Sequence, residues 1–439
     1  MEFLFVLQNA LWGGGTITLL LGTGIFLTFR TRFFPVRNLG RALSSALSPR
    51  ARHTTSGGVS SFSALMTALA ATIGTGNIVG VAAALVTGGP GALVWMELSS
   101  IPALATKFSE CFLSVAYRRK DCDGQWVGGP MYVMEAALGR VGAVLAPLFS
   151  FATLLVAFSM GSMAQSNAMA KALETSFSIP AALTGAVTAA LLFLVSMGGI
   201  RSISRLAEIL VPVMAVGYMG ATLWVILTHI TALPGALSLM LREAFSLRAL
   251  SGGMIGAAFQ QGVARGVLTH EAGLGSAAIT AACAEDGDPL RQGLIAETAV
   301  AFDTFLLCTA TGLAVCCSGM LGSSADGEVL TGAALTIAAF ETAFGSFGGK
   351  LLSIAIALFA FSSALGWIYQ GQTAFSYLFG RRFLSIYRFF FAAAAFYGAC
   401  ASLDTVFAIS DICNALMCYP NLICLLALSG EVARATRRV

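Results

Sequence analysis

Apolar stretches of about 18 residues or more take up most of this chain, and each is long enough to cross the ~30 Å hydrocarbon core of a bilayer. A chain built this way cannot fold around a single water-soluble core. Of its 439 residues, 57% are hydrophobic and only 10% charged. Soluble domains carry about 25% charged residues, so too little charge is present to clothe a water-facing surface. The expected class is an all-α, polytopic protein with the lipid bilayer as its solvent. The net charge of +4 does not point to nucleic acid, because Arg and Lys sit in short links and form no basic face. Ten Cys occur, mostly inside apolar stretches, with no metal-ligand spacing and no disulfide framework. They read as small buried apolar residues, and no transition-metal site is expected. Residues 1–10 lack the basic start of a signal peptide, and Glu2 is acidic, so the first apolar span is expected to be retained.

Hydropathy and helix breakers predict eleven spans: 8–29, 60–86, 91–117, 143–172, 180–198, 207–229, 251–283, 292–316, 349–379, 383–401 and 404–428. The longest hydrophilic links, 30–59 and 118–142, are too short to be domains. Basic residues then set the orientation. Arg30, Arg32, Arg37, Arg41, Arg50 and Arg52 crowd the first link, and every second link after it carries more, through Arg118, Arg201, Arg291 and Arg381 to the tail with Arg434, Arg437 and Arg438. The opposite side receives only Lys171, Arg242, Arg248 and Lys350. The N-terminus is therefore expected outside and the C-terminus in the cytoplasm.

Setting aside residues 1–59, the remaining spans divide into five (60–229) and five (251–430), joined by an outer link 230–250 and followed by a tail 431–439. An odd number of spans per half inverts the second half, the arrangement of many secondary transporters. Both lead spans are rich in glycine near their middles. The first reads Ala71-Thr72-Ile73-Gly74-Thr75-Gly76-Asn77. The second reads Gly262-Val263-Ala264-Arg265-Gly266, then Thr269-His270-Glu271-Ala272-Gly273-Leu274-Gly275-Ser276. Glycine in a helix interior costs ~1 kcal/mol relative to Ala, so unwinding is cheap there. Unwound backbone at membrane depth is tolerated only where it lines a cavity, and its freed N–H and C=O groups then suit a carboxylate and a cation. The same glycines also suit close packing between helices.

At these residues the chain resembles the alanine or glycine:cation symporter family, and the likeness runs from about residue 57 to about 430. Gly74-Thr75-Gly76-Asn77-Ile78-Val79-Gly80-Val81 with Gly88-Gly89-Pro90-Gly91-Ala92 is similar to the family's first signature. Ala105–Glu110 and Gly129-Pro130-Met131-Tyr132 continue it. Arg265-Gly266 with Glu271–Ser276, Phe359–Ser363 with Gly366-Trp367, and Asp411 with Asn414–Met417 and Pro420-Asn421-Leu422 are similar to the later ones. The resemblance implies a LeuT-like five-plus-five inverted repeat with one extra N-terminal transmembrane helix. It implies uptake of alanine or glycine driven by sodium, or in some members by protons, with no enzymatic cofactor and no obligate protein partner. A cation would lie between the carbonyls of Ala70 and Ile73 and the hydroxyls of Ser362 and Ser363. A second would use the Thr72 carbonyl and Asn77. The amino acid would meet Thr75, Gly76 and Asn77, a break at Gly262–Gly266, Gln165, and Trp367 as an apolar wall. Span midpoints near residues 73, 267 and 364 place three of these segments at one depth. His270 stands where the family has Asn, Glu97 where it has an uncharged residue and Gln372 where it has Glu; Gln261 and Gln370 are also unusual. These departures keep the substrate and a proton-coupled alternative open.

Ionisable groups inside spans are functional candidates by default. Lys107 and Glu110, three apart on one helix face, read as a structural or gating pair. Arg265 and Glu271 flank the second glycine cluster and call for partners such as Glu97 or Asp303; with His270 they form the gating or coupling group. A zincin-like start at His270-Glu271 fails because Leu274 stands where a second His is required, and no nucleophile elbow occurs, so a membrane enzyme is disfavoured. A channel would need a repeated filter ring. A receptor would need a signalling domain. The expected location is the bacterial inner membrane.

Overall fold

The structure is a computed structural model that describes residue 11 and residues 14–54, 58–245, 254–325, 327–401 and 404–438. Glu2, the start of span 8–29, Arg248 and residues 251–253 lie outside the described residues. In chain order the helices are α1 (Gly14–Arg30), α2 (Phe34–Leu47), the turn α3 (Pro49–Arg52), α4 (Ser61–Thr72), α5 (Val79–Gly88), α6 (Gly91–Ala116), α7 (Pro130–Ala137), α8 (Gly139–Val156), α9 (Gln165–Phe177), α10 (Ala181–Met197), α11 (Gly199–Thr228), α12 (Leu233–Ala244), α13 (Met254–His270), α14 (Ser276–Ala281), α15 (Pro289–Val300), α16 (Thr309–Cys317), α17 (Gly332–Phe344), α18 (Ser346–Phe379), α19 (Leu384–Cys400) and α20 (Asp404–Thr436). Two antiparallel hairpins, β1 (Arg119–Lys120) with β2 (Trp126–Val127) and β3 (Ser324–Ala325) with β4 (Glu328–Val329), are the sheet content of the described residues.

Six helical stretches are long and apolar enough to cross a membrane, and eight if each of two bent pairs is one span. Every expected span falls on a helix or a broken helix. Span 251–283 corresponds to α13 plus α14, and span 180–198 to α10, a helix of 17 residues. The first bent pair turns by 84° between α1 and α2. That makes α2 an amphipathic helix across the end of α1: Pro35, Ala42 and Ala46 are buried while Arg37 and Arg41 are exposed. Residues 34–47 and 49–52 of the link 30–59 are thus helical.

Local chemistry fixes the ends that matter. Ser60 caps α4, its hydroxyl accepting from the Ser63 N–H at 2.9 Å. Asp288 caps α15, accepting from Leu290 and Arg291, with Pro289 at the first helical position. Around the centre, α13 and α15 pack along α6, and α18 packs along α4 and α9. Val59, just before α4, bridges in parallel to Ala284, just after α14, and the Glu285 N–H donates to the Val59 carbonyl at 2.8 Å. The second lead span therefore finishes beside the start of the first, so the two run through the fold in opposite directions. Large apolar side chains such as Val144, Leu194, Val216 and Phe389 face outward and are more than half exposed, as a lipid-facing surface requires.

Candidate cation and substrate site

The first lead span breaks after Thr72. The Ile73 N–H makes the last helical bond, to Leu69 at 2.7 Å. Gly74 is extended, Thr75–Asn77 form a 3-10 turn, and α5 resumes at Val79, with α4 and α5 bent by 59°. The Gly74 N–H donates to Asn77 Oδ1 at 3.1 Å, so Asn77 clamps the turn from inside. Thr75 and Gly76 open that turn, where N–H groups lie outside the helical ladder.

α18 supplies the opposing wall. Gly366 lets it approach closely: a Cβ there would lie 2.5 Å from the Ala71 Cβ. The Ser362 hydroxyl donates to the Ile73 carbonyl at 3.4 Å and to its own Phe359 carbonyl at 2.9 Å. The Ser363 hydroxyl donates to the Ala71 carbonyl at 2.9 Å. The carbonyl that Ser363 reaches is thus that of Ala71, one residue on from the expected Ala70. Thr72 turns its hydroxyl back onto Ala68 and Leu69 of its own helix. Two hydroxyl–carbonyl pairs lie along this contact between α18 and the break, and oxygen donors are the kind hard cations prefer.

Gln165 starts α9 after a π-helical turn, Ala157–Ala164, a feature often found at functional sites. The Thr75 hydroxyl donates to Gln165 Oε1 at 3.3 Å. A Cβ on Gly74 would lie 3.8 Å from that same oxygen, and a Cβ on Gly76 would lie 3.2 Å from the Thr269 methyl. Trp367 is 1% exposed, and its Cβ would be 2.4 Å from a Cβ placed on Gly161 of the π-turn. The first break is therefore bordered by Gln165, Thr269 and Ser363, while Trp367 packs on Gly161 of the π-turn.

Asp303 is the residue that sequence reasoning placed least well. It lies in a second π-helical turn, Ala301–Cys308. It is fully buried and accepts from the Asn77 amide at 2.6 Å, with the Thr304 hydroxyl on its other oxygen at 3.2 Å. The signal was present, an acid in the middle of span 292–316, but the sequence suggested pairing with Arg265 or Glu271. Neither pairing forms: Arg265 makes no ion pair among the described residues. Glu97 accepts instead from the Thr309 hydroxyl at 2.7 Å.

The second break is displaced from its expected position. α13 runs unbroken through Gly262 and Gly266, and the chain unwinds at Glu271–Gly275. Gly262 and Gly266 form a packing seam instead. A Cβ on Gly262 would lie 2.3 Å from the Ala92 carbonyl oxygen, and one on Gly266 would lie 3.2 Å from Met96 Cγ. At the real break, Glu271 has a left-handed φ of 53° and Gly273 and Gly275 have φ of 96° and 78°. Side chains satisfy the freed backbone. His270 Nδ1 accepts from the Ala272 N–H at 3.0 Å. Glu110 Oε1 accepts from the Gly273 N–H at 2.7 Å and from the Asn421 amide at 2.7 Å, while Asn421 also donates to the Gly273 carbonyl at 3.0 Å. The Ser276 hydroxyl donates to Glu271 at 2.5 Å. Glu110 therefore serves this loop; it makes no ion pair with Lys107 among the described residues.

The face that carries the basic links is tied down by charge. Arg381 pairs with Asp121, and with Asp123 at 2.8 Å. Arg118 donates to the carbonyls of Ala282, Ala284 and Glu285, at the end of the second lead span. Behind this clasp lies a cavity of about 470 Å³, reaching from Trp126 to Tyr369 and Gln372.

Comparison with known proteins gives a consistent answer. The model of the family described as "Sodium:alanine symporter family" matches residues 1–438. The sodium/alanine symporter AgcS of Methanococcus maripaludis is 43% identical over 442 aligned residues, covering 100% of this chain and 97% of that protein. A Bacillus subtilis protein, "Probable sodium/glutamine symporter GlnT", is 36% identical and covers 98% of this chain and 89% of its own length. Among solved structures, the outward-open state of a Na+-coupled sialic acid symporter superposes with a TM-score of 0.60 at 12% identity, over 97% of this chain and 96% of that one. The last likeness carries the fold alone, that of the LeuT-type transporters.

Proposed function

This chain belongs to the sodium:alanine symporter family, a family of membrane transporters and not of enzymes, and on that premise we propose that it carries a small neutral amino acid, alanine or glycine, into the cell together with sodium by alternating access. The observation that carries this reading is the placement of the Ser362 and Ser363 hydroxyls on the Ile73 and Ala71 carbonyls. A sodium ion taking those four oxygens ties the broken helix α4–α5 to α18. It fixes the 3-10 turn so that the N–H groups of Thr75 and Gly76 receive the substrate carboxylate. Gln165 and Thr269 flank that turn, and Trp367 is the apolar wall in this reading, facing the methyl group of alanine or the hydrogen of glycine. The Asn77–Asp303 pair supplies the negative charge for a second cation beside the first turn. In this reading residues 60–229 and 251–430 are the two inverted halves, residues 1–59 and 431–439 flank them, and the basic face is cytoplasmic at the inner membrane. The cavity behind Arg381 and Asp121 is then the inner vestibule. One charge falling through 100 mV releases ~2.3 kcal/mol, enough for roughly 40-fold accumulation.

A proton-coupled reading has one specific observation in its favour: Asp303 and Glu97 are acids held by neutral donors, Asn77 and Thr309. Uptake of labelled alanine and glycine into proteoliposomes, under a sodium gradient and separately under a proton gradient, decides between the two. Sodium-driven accumulation that persists with pH equal on both sides supports the proposal. Accumulation under the proton gradient alone replaces it.

A further inference from the structure

We propose that a groove between α4, α11 and the Ala301–Cys308 turn is a binding site for one anionic phospholipid, which buttresses the first break from the lipid side. The groove has a volume of about 510 Å³, on the scale of one fatty acyl chain. Its floor is one face of α4, Phe62, Met66 and Leu69, continued by Ile73 just past the helix end, spaced four, three and four residues apart. Those side chains are nearly covered, from 5% exposed at Met66 to 1% at Ile73. The rim lies open to the bilayer, with Val216 74%, Leu306 48% and Leu223 47% exposed.

Length and charge together select the occupant. The eleven residue steps from Phe62 to Ile73, the residue just past the end of α4, rise about 16 Å at the helical rise, half of a ~30 Å hydrocarbon core and so the depth of one leaflet. At the shallow end stands Arg52, exposed, with its guanidinium 4.4 Å from the centroid of the Phe62 ring. Arg50 is exposed on the same short turn. The amphipathic helix α2, turned by 84° from α1, leads into that turn and marks the headgroup level. A phosphate therefore meets Arg52 when an acyl chain fills the groove, and anionic headgroups are favoured over zwitterionic ones. At the deep end the chain tip meets Ile73, whose carbonyl receives the Ser362 hydroxyl. A filled groove holds Ile73 against α18. That last consequence rests on the sodium reading above; lipid retention does not, so the two fail separately.

The test uses the full-length protein purified in detergent, incubated with phosphatidylglycerol or with phosphatidylcholine of the same chains, and native mass spectrometry of the retained lipid. The wild type is expected to retain phosphatidylglycerol about fivefold better than phosphatidylcholine. Arg52→Gln should abolish that preference while still retaining both lipids. Gly220→Leu adds a side chain where nothing lies within 4 Å of a Cβ at position 220, so it fills the groove without disturbing the fold and should lose both lipids. Each variant's thermal midpoint is recorded alongside. An unchanged preference in Arg52→Gln, or undiminished retention in a folded Gly220→Leu, shows only bulk lipid around the protein and overturns the proposal.

Discussion

The two lead spans share a glycine-rich middle, yet their breaks differ in who takes up the freed backbone. At Glu271–Gly275 the protein does so itself, through His270, Glu110 and Asn421. At the first break the Ile73 and Ala71 carbonyls take two neutral hydroxyls and the Gly74 N–H takes the amide oxygen of Asn77 within the turn. The carboxylate nearby, Asp303, holds the Asn77 amide rather than freed backbone, so the bonds on the backbone itself are neutral ones that a cation and a carboxylate can replace. The comparison teaches that glycine makes a break cheap but does not assign its purpose. A charge-assisted hydrogen bond is roughly twice as strong as a neutral one, so a loop held by Glu110 is a fixed part of the scaffold. A loop held by serines is available to ligands.

The sharpest way to break this contrast is at the fixed loop. Glu110→Ala strands the Gly273 N–H and the Asn421 amide in a buried place and should cost about 3 kcal/mol, read as a large fall in thermal midpoint that sodium does not restore. Next is the seam. Gly262→Ala forces a Cβ against the Ala92 carbonyl and should lose about 2 kcal/mol of stability, with the alanine KM of the surviving protein unchanged; a raised KM would return Gly262 to the substrate site. The double change Ser362→Ala with Ser363→Ala should raise the half-saturating sodium concentration about tenfold, or ~1.4 kcal/mol, with little change in thermal midpoint. Smallest is Gln165→Ala, which removes the acceptor of the Thr75 hydroxyl. It should raise the alanine KM about fivefold, a loss of ~1 kcal/mol, and leave sodium dependence alone.

Much of this architecture was readable from the chain. Apolar runs interrupted by Gly, Pro and charge placed helices where they occur, because hydropathy is the dominant constraint in lipid. The first break was readable because Gly74, Gly76 and a polar Asn77 fall together within four residues at mid-membrane. The second was misplaced. Gly262 and Gly266 carry the same signal, but α6 presents Ala92 and Met96 to them, and nothing in the local sequence reveals which helix lies opposite. Asp303 was visible as an anomaly, while its partner Asn77 lies 226 positions away. The bend into α2 was hidden by the basic residues that made the segment look like a plain link. Local chemistry, in short, marks where backbone can open; the neighbour across the gap decides what it opens for.

The central claim is that ligands engage the first break and leave the second alone. Hydrogen–deuterium exchange of the purified protein, with and without sodium plus alanine, tests this directly. The account predicts slowed exchange in peptides covering residues 73–78 when both ligands are present, and no change at residues 271–275. Protection confined to residues 271–275, with residues 73–78 indifferent to both ligands, would contradict it.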